Sequence, residues 1–451
     1  MPKLAFVGQS ARDADNPAGN TSRLVNGYRE PMLPGGRGSA VLRGCPGMAD
    51  FAELNDVFVR AMSNFDDGIM AIVGQNLHRI TTDGTVSLIG DVDATDAIAG
   101  LDQSTGYVVA VAGRKYWHWD GTTLTTITAG NVPNPASIAY LGGYVLVTDY
   151  GTRVFGWSAL ADPTTWSGLD FASAEITPDP IIRGVAFKDA YYIFKETGFE
   201  RWAVTGASGP DAFQRIGGAQ EEPGLLSYGL IVTFPNGMSF VGSDGRVYVF
   251  GVGPISTPPV EVAIERFGPE RMFYYEQRGH GFICLIFADA FAWCYDTATG
   301  EWHERSQDDL PWQAKASVKV DGDWYVGTDA GKVALLTNTC LDFGSPMVRQ
   351  YTSHTLENDE RFSIGKVEAF PRIDGDIQGD GDTTEAKITL EMSRDGARTF
   401  GQPRDRGVGT VGAYETRLTW RALGQFRKAT ARISQSSAKD VPLLAELDVS
   451  L

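Results

Sequence analysis

The stretch VFVRAMSNFDDGIMAIVGQNLHRITTDGTVSLI, residues 57–89, decides the fold class of this chain. Its apolar residues alternate or run in short blocks, and turn residues interrupt them at Asp66-Asp67-Gly68, at Gly74-Gln75-Asn76 and at Asp83-Gly84. Short apolar blocks between Gly, Asp and Asn are typical of strands, and an Asp-Gly pair suits a tight hairpin because both central positions take positive φ. The stretch therefore predicts four antiparallel strands joined by tight turns.

The same unit recurs along the chain at an interval of about 40 residues, which is the length of a propeller blade. Clear copies follow in residues 107–127 and 138–157, and weaker ones continue as far as residues 316–336. About seven copies fit between Leu54 and Cys340. One blade cannot bury both of its faces alone, so neighbouring blades must stack around an axis. We predict an all-β chain built on a β-propeller of about seven blades, with six blades or a long β-sandwich as the alternatives.

The composition excludes several classes of protein. Of 451 residues, 43% are hydrophobic and 21% are charged, which is too apolar for a disordered chain. The start of the chain lacks the apolar run of a signal peptide, and the longest apolar stretch, residues 282–295, is too short for a membrane helix. We therefore expect no membrane insertion. The four cysteines form no CxxC pair, which favours reduced, mostly buried thiols in a protein made in a cytoplasm.

Two flanking regions break the 40-residue spacing. Residues 1–53 are polar and rich in glycine, and we assign them to an N-terminal arm that docks onto a partner or closes the propeller. Residues 54–347 form the predicted propeller. Over residues 348–451 the alternating strands are spaced differently and predict a small C-terminal β-sandwich. The sequence thus predicts three parts, with boundaries at residues 53 and 347.

An acidic loop interrupts the predicted sandwich. Its aspartates are Asp374, Asp376, Asp380 and Asp382. Alternating oxygen ligands suit a hard cation such as calcium, but the loop lacks the bidentate Glu that closes a hand-type calcium loop, and solvated Asp-Gly loops are common. These aspartates are weak candidates for a metal site, and we expect neither a metal nor a cofactor.

The turn SRDGARTF at residues 393–400 resembles the aspartate box (S-x-D-x-G-x-T-W) on the hairpin turns of sialidase propellers. Ala397 stands at the glycine of the box and Phe400 at its tryptophan. In such a box the aspartate accepts backbone N–H bonds within its own turn while the aromatic ring packs beneath it. We interpret this turn as structural rather than catalytic, and its defining residues are Ser393, Asp395, Gly396 and Phe400.

No pattern in the sequence indicates an enzyme. The five histidines are scattered, with no HxH or HExxH grouping for a metal. Glycoside hydrolysis needs two carboxylates at a defined separation, and the 56 acidic residues nominate no particular pair. We predict no catalytic and no cofactor-binding residue.

Three groups of short motifs occur in order along nearly the whole chain. The first is R-x-x-N-x-Y-x-E-P at residues 23–31, followed by RGCPGM at residues 43–48. The second is DPTTW at residues 162–166 with ERWAVTG at residues 200–206. The third is the turn described above with WRALGQFR at residues 420–427. In this order the motifs resemble those of packaged-DNA stabilisation proteins, the tail-hub or head-completion proteins of short-tailed bacteriophages.

The resemblance implies a structural virion protein of the head-to-tail connector and not an enzyme. It implies a homo-hexameric ring under the portal and its adaptor, which retains the packaged DNA and forms part of the ejection channel. The implied partners are further copies of the chain, the portal and adaptor proteins, and tail spike, fibre or needle proteins, and the implied location is the virion tail. In the arm we nominate four docking residues, which are Arg23, Asn26, Tyr28 and Glu30.

The net charge of −17 suits this role on its own terms. Six copies would carry about −100 charges around the DNA, and like charge repels phosphate. A wall that repels the duplex lets it slide, so we expect the DNA to pass without specific binding. An inner surface rich in lysine and arginine would contradict this expectation.

Two other functions stay open at this point. A tail-borne carbohydrate-binding adhesin would expose tryptophan clusters on one rim of the propeller. A propeller glycoside hydrolase would hold a close pair of carboxylates in a pocket.

Overall fold

The computed structural model describes residues 3–6, 9–10, 21–33, 38–54, 57–93, 98–127, 134–307, 310–372, 386–408 and 416–450. Within these residues, seven blades of four antiparallel strands each follow one another around a common axis, and the sixth and seventh blades continue into larger sheets. The innermost strand of the seventh blade lies against the innermost strand of the first, which closes the circle. The predicted β-propeller is confirmed, and the observed number of blades is seven.

The blades are numbered in chain order, and their strands run from the axis outward. Blade 1 contains Val59–Phe65, Gly68–Val73, Asn76–Ile80 and Val86–Asp91. Blade 2 contains Ala99–Ser104, Tyr107–Ala112, Lys115–Trp119 and Leu124–Ile127. Blade 3 contains Pro135–Leu141, Tyr144–Asp149, Val154–Ala159 and Asp162–Ser173. Blade 4 contains Ile181–Phe187, Ala190–Lys195, Phe199–Val204 and Phe213–Glu221.

The remaining three blades follow the same outward order. Blade 5 contains Ile231–Phe234, Gly237–Val241, Val247–Val249 and Gly253–Pro254. Blade 6 contains Pro269–Gln277, His280–Phe287, Ala292–Asp296 and Glu301–Arg305. Blade 7 contains Ala314–Val320, Asp323–Thr328, Lys332–Thr337 and, from the N-terminal segment, Gly47–Glu53. An α-helix, Pro258–Phe267, joins blades 5 and 6, and a 3₁₀ turn, Gly209–Asp211, lies within blade 4.

Local turn chemistry explains why these segments form hairpins. In blade 7 the turn residues Asp321 and Gly322 have φ of 50° and 94°, the pair of positive values that a two-residue hairpin needs. The flanking strands are rich in β-branched and aromatic residues. The second strand of a blade is largely buried on both faces because each blade packs between two others. A hairpin and the sequence pattern that predicts it both depend on residues close together in the chain, so the periodicity located the hairpins.

The N-terminal segment closes the propeller. Gly47–Glu53 pairs antiparallel with Lys332–Thr337 and supplies the outermost strand of blade 7. Met48 in this strand is fully buried. The first and last strands of blade 7 thus come from opposite ends of the propeller sequence, which ties the circle shut.

The C-terminal part is a β-sandwich, as predicted. Its strands are Val348–Thr352, Leu356–Ala369, Lys387–Ser393, Arg404–Gly407, Leu418–Ser436, Leu443–Leu444 and Glu446–Ser450. The long strand Leu418–Ser436 belongs to both layers, because its first half pairs with Leu356–Ala369 and its second half pairs with Lys387–Ser393. Between the layers lies an apolar core that includes the fully buried Trp420.

One sheet continues from the propeller into the sandwich. The short strand Arg23–Val25 pairs parallel with the outermost strand of blade 6 and antiparallel with Val348–Thr352. The other short strands are Lys3–Ala5, Gly27–Pro31, Ala40–Gly44, Leu341–Asp342 and Ser345–Pro346. The sandwich is therefore attached to the side of blade 6 by main-chain hydrogen bonds. No helix among the described residues has the length and apolarity to span a bilayer.

Candidate functional site: interaction surfaces

Two of the nominated arm residues hold the sandwich to blade 6. Arg23 forms a two-pronged ion pair with the fully buried Glu304, with N–O distances of 2.9 Å from Nε and 2.8 Å from Nη2. Asn26 is buried, donates from Nδ2 to the carbonyl of Val348 at 2.8 Å, and accepts from the amide of Ser306 at 2.9 Å. Both side chains connect parts of their own chain.

The other two nominated arm residues also contact their own chain. The Tyr28 ring is buried, with its centroid 4.9 Å from that of His280 and 5.1 Å from that of Phe282, and this burial raises the pKa of its phenol. Glu30 accepts a hydrogen bond from Arg43 on the neighbouring strand. The motif at residues 23–31 thus has a structural explanation, and the docking role of the arm stays a prediction.

The aspartate-box turn is held by hydrogen bonds to Asp395. Its Oδ1 accepts from Ser393 Oγ at 2.7 Å and from the amide of Thr399 at 2.9 Å, and Thr399 Oγ1 donates to Oδ2 at 2.6 Å. The Thr399 hydroxyl, followed by the other donors, lowers the pKa of Asp395 to about 2. Gly396 takes a φ of 73°, and the Phe400 ring lies 3.9 Å from the guanidinium carbon of Arg432. Every donor to the carboxylate comes from the turn itself.

The weak metal candidates Asp374, Asp376, Asp380 and Asp382 lie outside the described residues. Within the described ranges, no group of three or more His, Cys, Asp or Glu side chains is arranged to hold a metal ion. The four cysteines are free and buried. Two of them face each other across adjacent strands of blade 6, with 3.2 Å between the sulfurs of Cys284 and Cys294.

The axis of the propeller holds a cavity of about 610 Å³ that the innermost strands of all seven blades line. Its lining includes five basic residues and one acidic residue, which are Arg60, Arg183, Arg271, Lys315, Lys319 and Glu270. Lys315 pairs with Glu270 at 2.9 Å, and Arg183 donates to the carbonyl of Tyr228 at 2.9 Å. A cavity of this volume is of small-molecule size and cannot admit a DNA duplex. This basic lining therefore does not form the wall of a DNA channel.

Charge is divided unevenly between the two parts of the chain. Residues 1–347 contain 24 Lys and Arg against 40 Asp and Glu, whereas residues 348–451 contain 15 against 16. The contrast is sharper locally, because residues 154–182 contain four acidic residues and no basic one, and residues 394–432 contain nine basic residues and three acidic ones. The acidic excess of the protein is therefore carried by the propeller and the N-terminal segment.

The acidic segment exposes apolar side chains, and the basic segment lines a pocket. In the outermost strand of blade 3, Leu169 is 71% exposed and Phe171 is 51% exposed. On the sandwich, a pocket of about 370 Å³ is lined by Arg394, Arg404, Phe426 and other residues. No sequence pattern indicated either surface, although the counts of Lys and Arg along these segments do indicate their opposite charge.

A family model described as "Bacteriophage P22 Gp10, beta-propeller" matches residues 11–340, and one described as "Bacteriophage P22 Gp10, beta-sandwich" matches residues 349–439. No curated protein matches the chain.

Several solved structures are similar to part of the chain. Virginiamycin B lyase from Staphylococcus aureus is 12% identical, with a TM-score of 0.44 over 64% of this chain and 98% of that one. The Pan2 WD40 domain of Neurospora crassa is 9% identical, with a TM-score of 0.43 over 64% of this chain and 95% of that one. The computationally designed Ika8 protein is 10% identical, with a TM-score of 0.41 over 64% of this chain and 99% of that one. At these values the resemblance carries no argument about activity.

Proposed function

We propose, from the premise that the chain belongs to the bacteriophage P22 Gp10 family, that it forms a ring at the head-to-tail connector, retains the packaged DNA and lines part of the ejection channel. Membership of this family makes the chain a structural protein of a phage head or tail that associates with other virion components. The proposal rests on the match of the family's propeller model to residues 11–340, because this match covers most of the chain.

The axial cavity supports a ring rather than a single-copy channel. About 610 Å³ is too little space for a duplex, so DNA cannot pass through one propeller. A DNA path built from this protein must therefore run between several copies arranged around it. We propose six copies, in contact with the portal and adaptor proteins on one side and with tail spike, fibre or needle proteins on the other.

The placement of charge supports passage without tight binding. The propeller and the N-terminal segment together carry 16 more acidic than basic residues. Turn residues on the blades, among them Asp67, Asp83 and Asp120, are exposed. Acidic surface around a duplex repels phosphate and gives the duplex no holding points. We therefore propose that propeller surface, rather than the sandwich, faces the DNA.

We propose that the N-terminal arm both closes the propeller and docks onto a partner. We propose residues 1–53 as the closing and docking part, residues 54–347 as the propeller and residues 348–451 as the sandwich. Gly47–Glu53 completes blade 7, while the exposed Met32 and Leu33 in the same arm leave apolar surface for a partner. Docking through Met32 and Leu33 would leave the internal contacts of Arg23 undisturbed.

Neither alternative function has an observation in its favour. All ten tryptophans lie in the described part of the chain and are buried or half-buried, so the rim of exposed tryptophans expected for a carbohydrate-binding adhesin does not appear there. The family is structural, which supports a non-enzymatic role.

The test is complementation of a phage that lacks this gene. Particles are assembled with and without the chain, treated with nuclease, and scored for protected genome and for the chain by mass spectrometry. We expect the chain in purified virions, and we expect heads without it to lose their DNA to the nuclease. Fully protected DNA in its absence, or absence of the chain from infectious virions, would refute the proposal.

A further inference from the structure

The outermost strand of blade 3, Asp162–Ser173, is an edge strand that exposes apolar side chains. We call this strand the blade-3 rim. Leu169 lies in the irregular stretch between Trp166 and Phe171, where the register with the neighbouring strand shifts, and both Leu169 and Phe171 are more than half exposed. The rim pairs only with Val154–Ala159 among the described strands, which leaves its outer edge without hydrogen-bond partners from a sheet. Exposed apolar edge strands are surfaces that a partner covers.

The rim is also a site of unopposed negative charge. Asp170 lies between Leu169 and Phe171, and no described residue forms a hydrogen bond or ion pair with its carboxylate. No Lys or Arg occurs anywhere in residues 154–182. The rim therefore offers two apolar side chains with one carboxylate between them.

The sandwich carries a surface of opposite character, which we call the arginine pocket. Its lining combines two arginines with apolar side chains, and we call the apolar part of the lining its floor. The lining comprises Leu390, Met392, Arg394, Phe400, Arg404, Leu423 and Phe426, with Thr399, Gly401 and Gln402. The guanidinium carbon of Arg394 lies 5.1 Å from the centroid of the Phe426 ring.

Contacts with neighbouring groups hold the two arginine side chains in place, but no described carboxylate neutralises their charge. Arg404, which lines the pocket, donates from Nη1 to the carbonyl of Arg421 at 2.9 Å, and this hydrogen bond holds its side chain in place. Neither Arg394 nor Arg404 forms an ion pair with a described carboxylate. Guanidinium groups bind carboxylates through paired N–H bonds, so two of them beside an apolar floor suit a carboxylate flanked by apolar side chains.

We propose that the blade-3 rim of one copy docks into the arginine pocket of the next copy, an inference that rests on the ring proposed above. The segment Leu169-Asp170-Phe171 supplies the apolar side chains and the carboxylate that this pocket fits. A duplex would use the arginines but would leave the apolar floor uncovered, so a protein segment fits the pocket better than DNA does.

The positions of the two surfaces require that the contact joins separate chains. The sandwich is attached to blade 6, and blade 3 lies three blades away around a seven-blade circle, roughly 150° at about 50° for each blade. The blade-3 rim therefore cannot reach the arginine pocket of its own chain. A contact between two different surfaces repeats from copy to copy, and it gives a closed ring when the rotation between copies closes.

The first test is a cross-link in assembled virions. Leu169→Cys and Gln402→Cys are placed together in the full chain, and the particles are treated with a short bismaleimide. The four native cysteines are buried, so they compete little with the two exposed sites. We expect a ladder of covalent multimers, and we expect none from the control that combines Leu88→Cys with Gln402→Cys, because Leu88 is exposed on the outermost strand of blade 1.

A charge swap provides the second test. Asp170→Arg alone and Arg394→Asp alone should each lower the cross-linked fraction at least tenfold, and the two together in one chain should restore it to within about twofold. Thermal melting of each purified variant shows that it is folded. Restoration requires that the two side chains meet, which a general loss of stability would not produce.

The outcomes separate this inference from the function on which it rests. If the chain is present in DNA-filled virions but forms no ladder between positions 169 and 402, the inference fails and the proposed function stands. If Arg394→Asp abolishes binding of the purified chain to a DNA duplex and positions 169 and 402 form no ladder, DNA is the occupant of the pocket and the inference also fails. If the chain is absent from virions, the proposed function fails.

Discussion

Replacing Arg349 by methionine should loosen the junction between propeller and sandwich. The side chain of Arg349 is fully buried and binds two segments of chain, at Cys340 and at residues 437–440. Nη2 donates to Ser437 Oγ at 2.8 Å, to the Ser437 carbonyl at 3.0 Å and to the Lys439 carbonyl at 3.1 Å. Nη1 donates to Cys340 Sγ at 3.1 Å and reaches Asp440 Oδ1 at 3.4 Å. Methionine retains the apolar volume and removes every donor.

The size of the effect follows from the groups left behind. Two carbonyls lose a charged donor, and removing one partner of a buried ion pair costs about 3–5 kcal/mol in total, a range that includes such lost bonds. Asp440 keeps Arg278 at 3.1 Å and the amide of Gly44 at 2.9 Å, so its charge is not left unpaired. We therefore expect a loss of about 3 kcal/mol, at the lower end of that range.

Denaturant unfolding and hydrogen exchange together test this expectation. A chain of this size can unfold in several steps, so exchange must show where stability is lost. We expect faster exchange first in Val348–Thr352 and in Leu418–Ser436. The control Arg427→Met, on an exposed arginine with no described carboxylate partner, should change stability by less than about 0.5 kcal/mol. A loss below about 1 kcal/mol for Arg349→Met, or faster exchange confined to blades 1–3, would refute the reasoning.

Three further predictions concern single residues. Because the pKa of Asp395 is lowered to about 2, its ionised form stabilises the fold above about pH 4, and that contribution is lost as the pH falls through 2; a titration by NMR should show this value, and a pKa near 4 would contradict it. Burial raises the pKa of Asp102 to about 6, so stability should fall as the pH rises from about 4 to about 6. Asp102→Asn should flatten that slope in denaturant unfolding, and an unchanged slope would show that another group titrates. Met48→Ala should cost about 2–5 kcal/mol and the exposed Met32→Ala less than about 0.5, so equal losses in thermal melting would argue against closure of blade 7 by the N-terminal strand.

Hairpins were predictable because their determinants are local. The four strands read from residues 57–89 correspond to the four strands of blade 1. Several other strands escaped the periodicity, and two of them show the physical reasons. Ala99–Ser104 lines the axial cavity and is only weakly apolar, and Asp162–Ser173 has register shifts and exposes Leu169 and Phe171.

Contacts between distant parts of the chain were not predictable from the sequence. The motif at residues 23–31 suggested docking, but Arg23 meets Glu304, which lies 281 residues away, and no local pattern announces such a pair. The same limit applied to the two surfaces of the proposed contact between copies. Their charge could be counted along the chain, whereas the exposure of Leu169 and the pocket beside Arg394 became visible only in the folded structure.

Electron cryomicroscopy of the portal vertex tests the central claim most directly. The account predicts several seven-bladed propellers joined edge to sandwich in a closed ring beneath the portal, with DNA density running between the copies and none through any single propeller. Propellers that project separately from the periphery of the tail, away from the path of the genome, would contradict it.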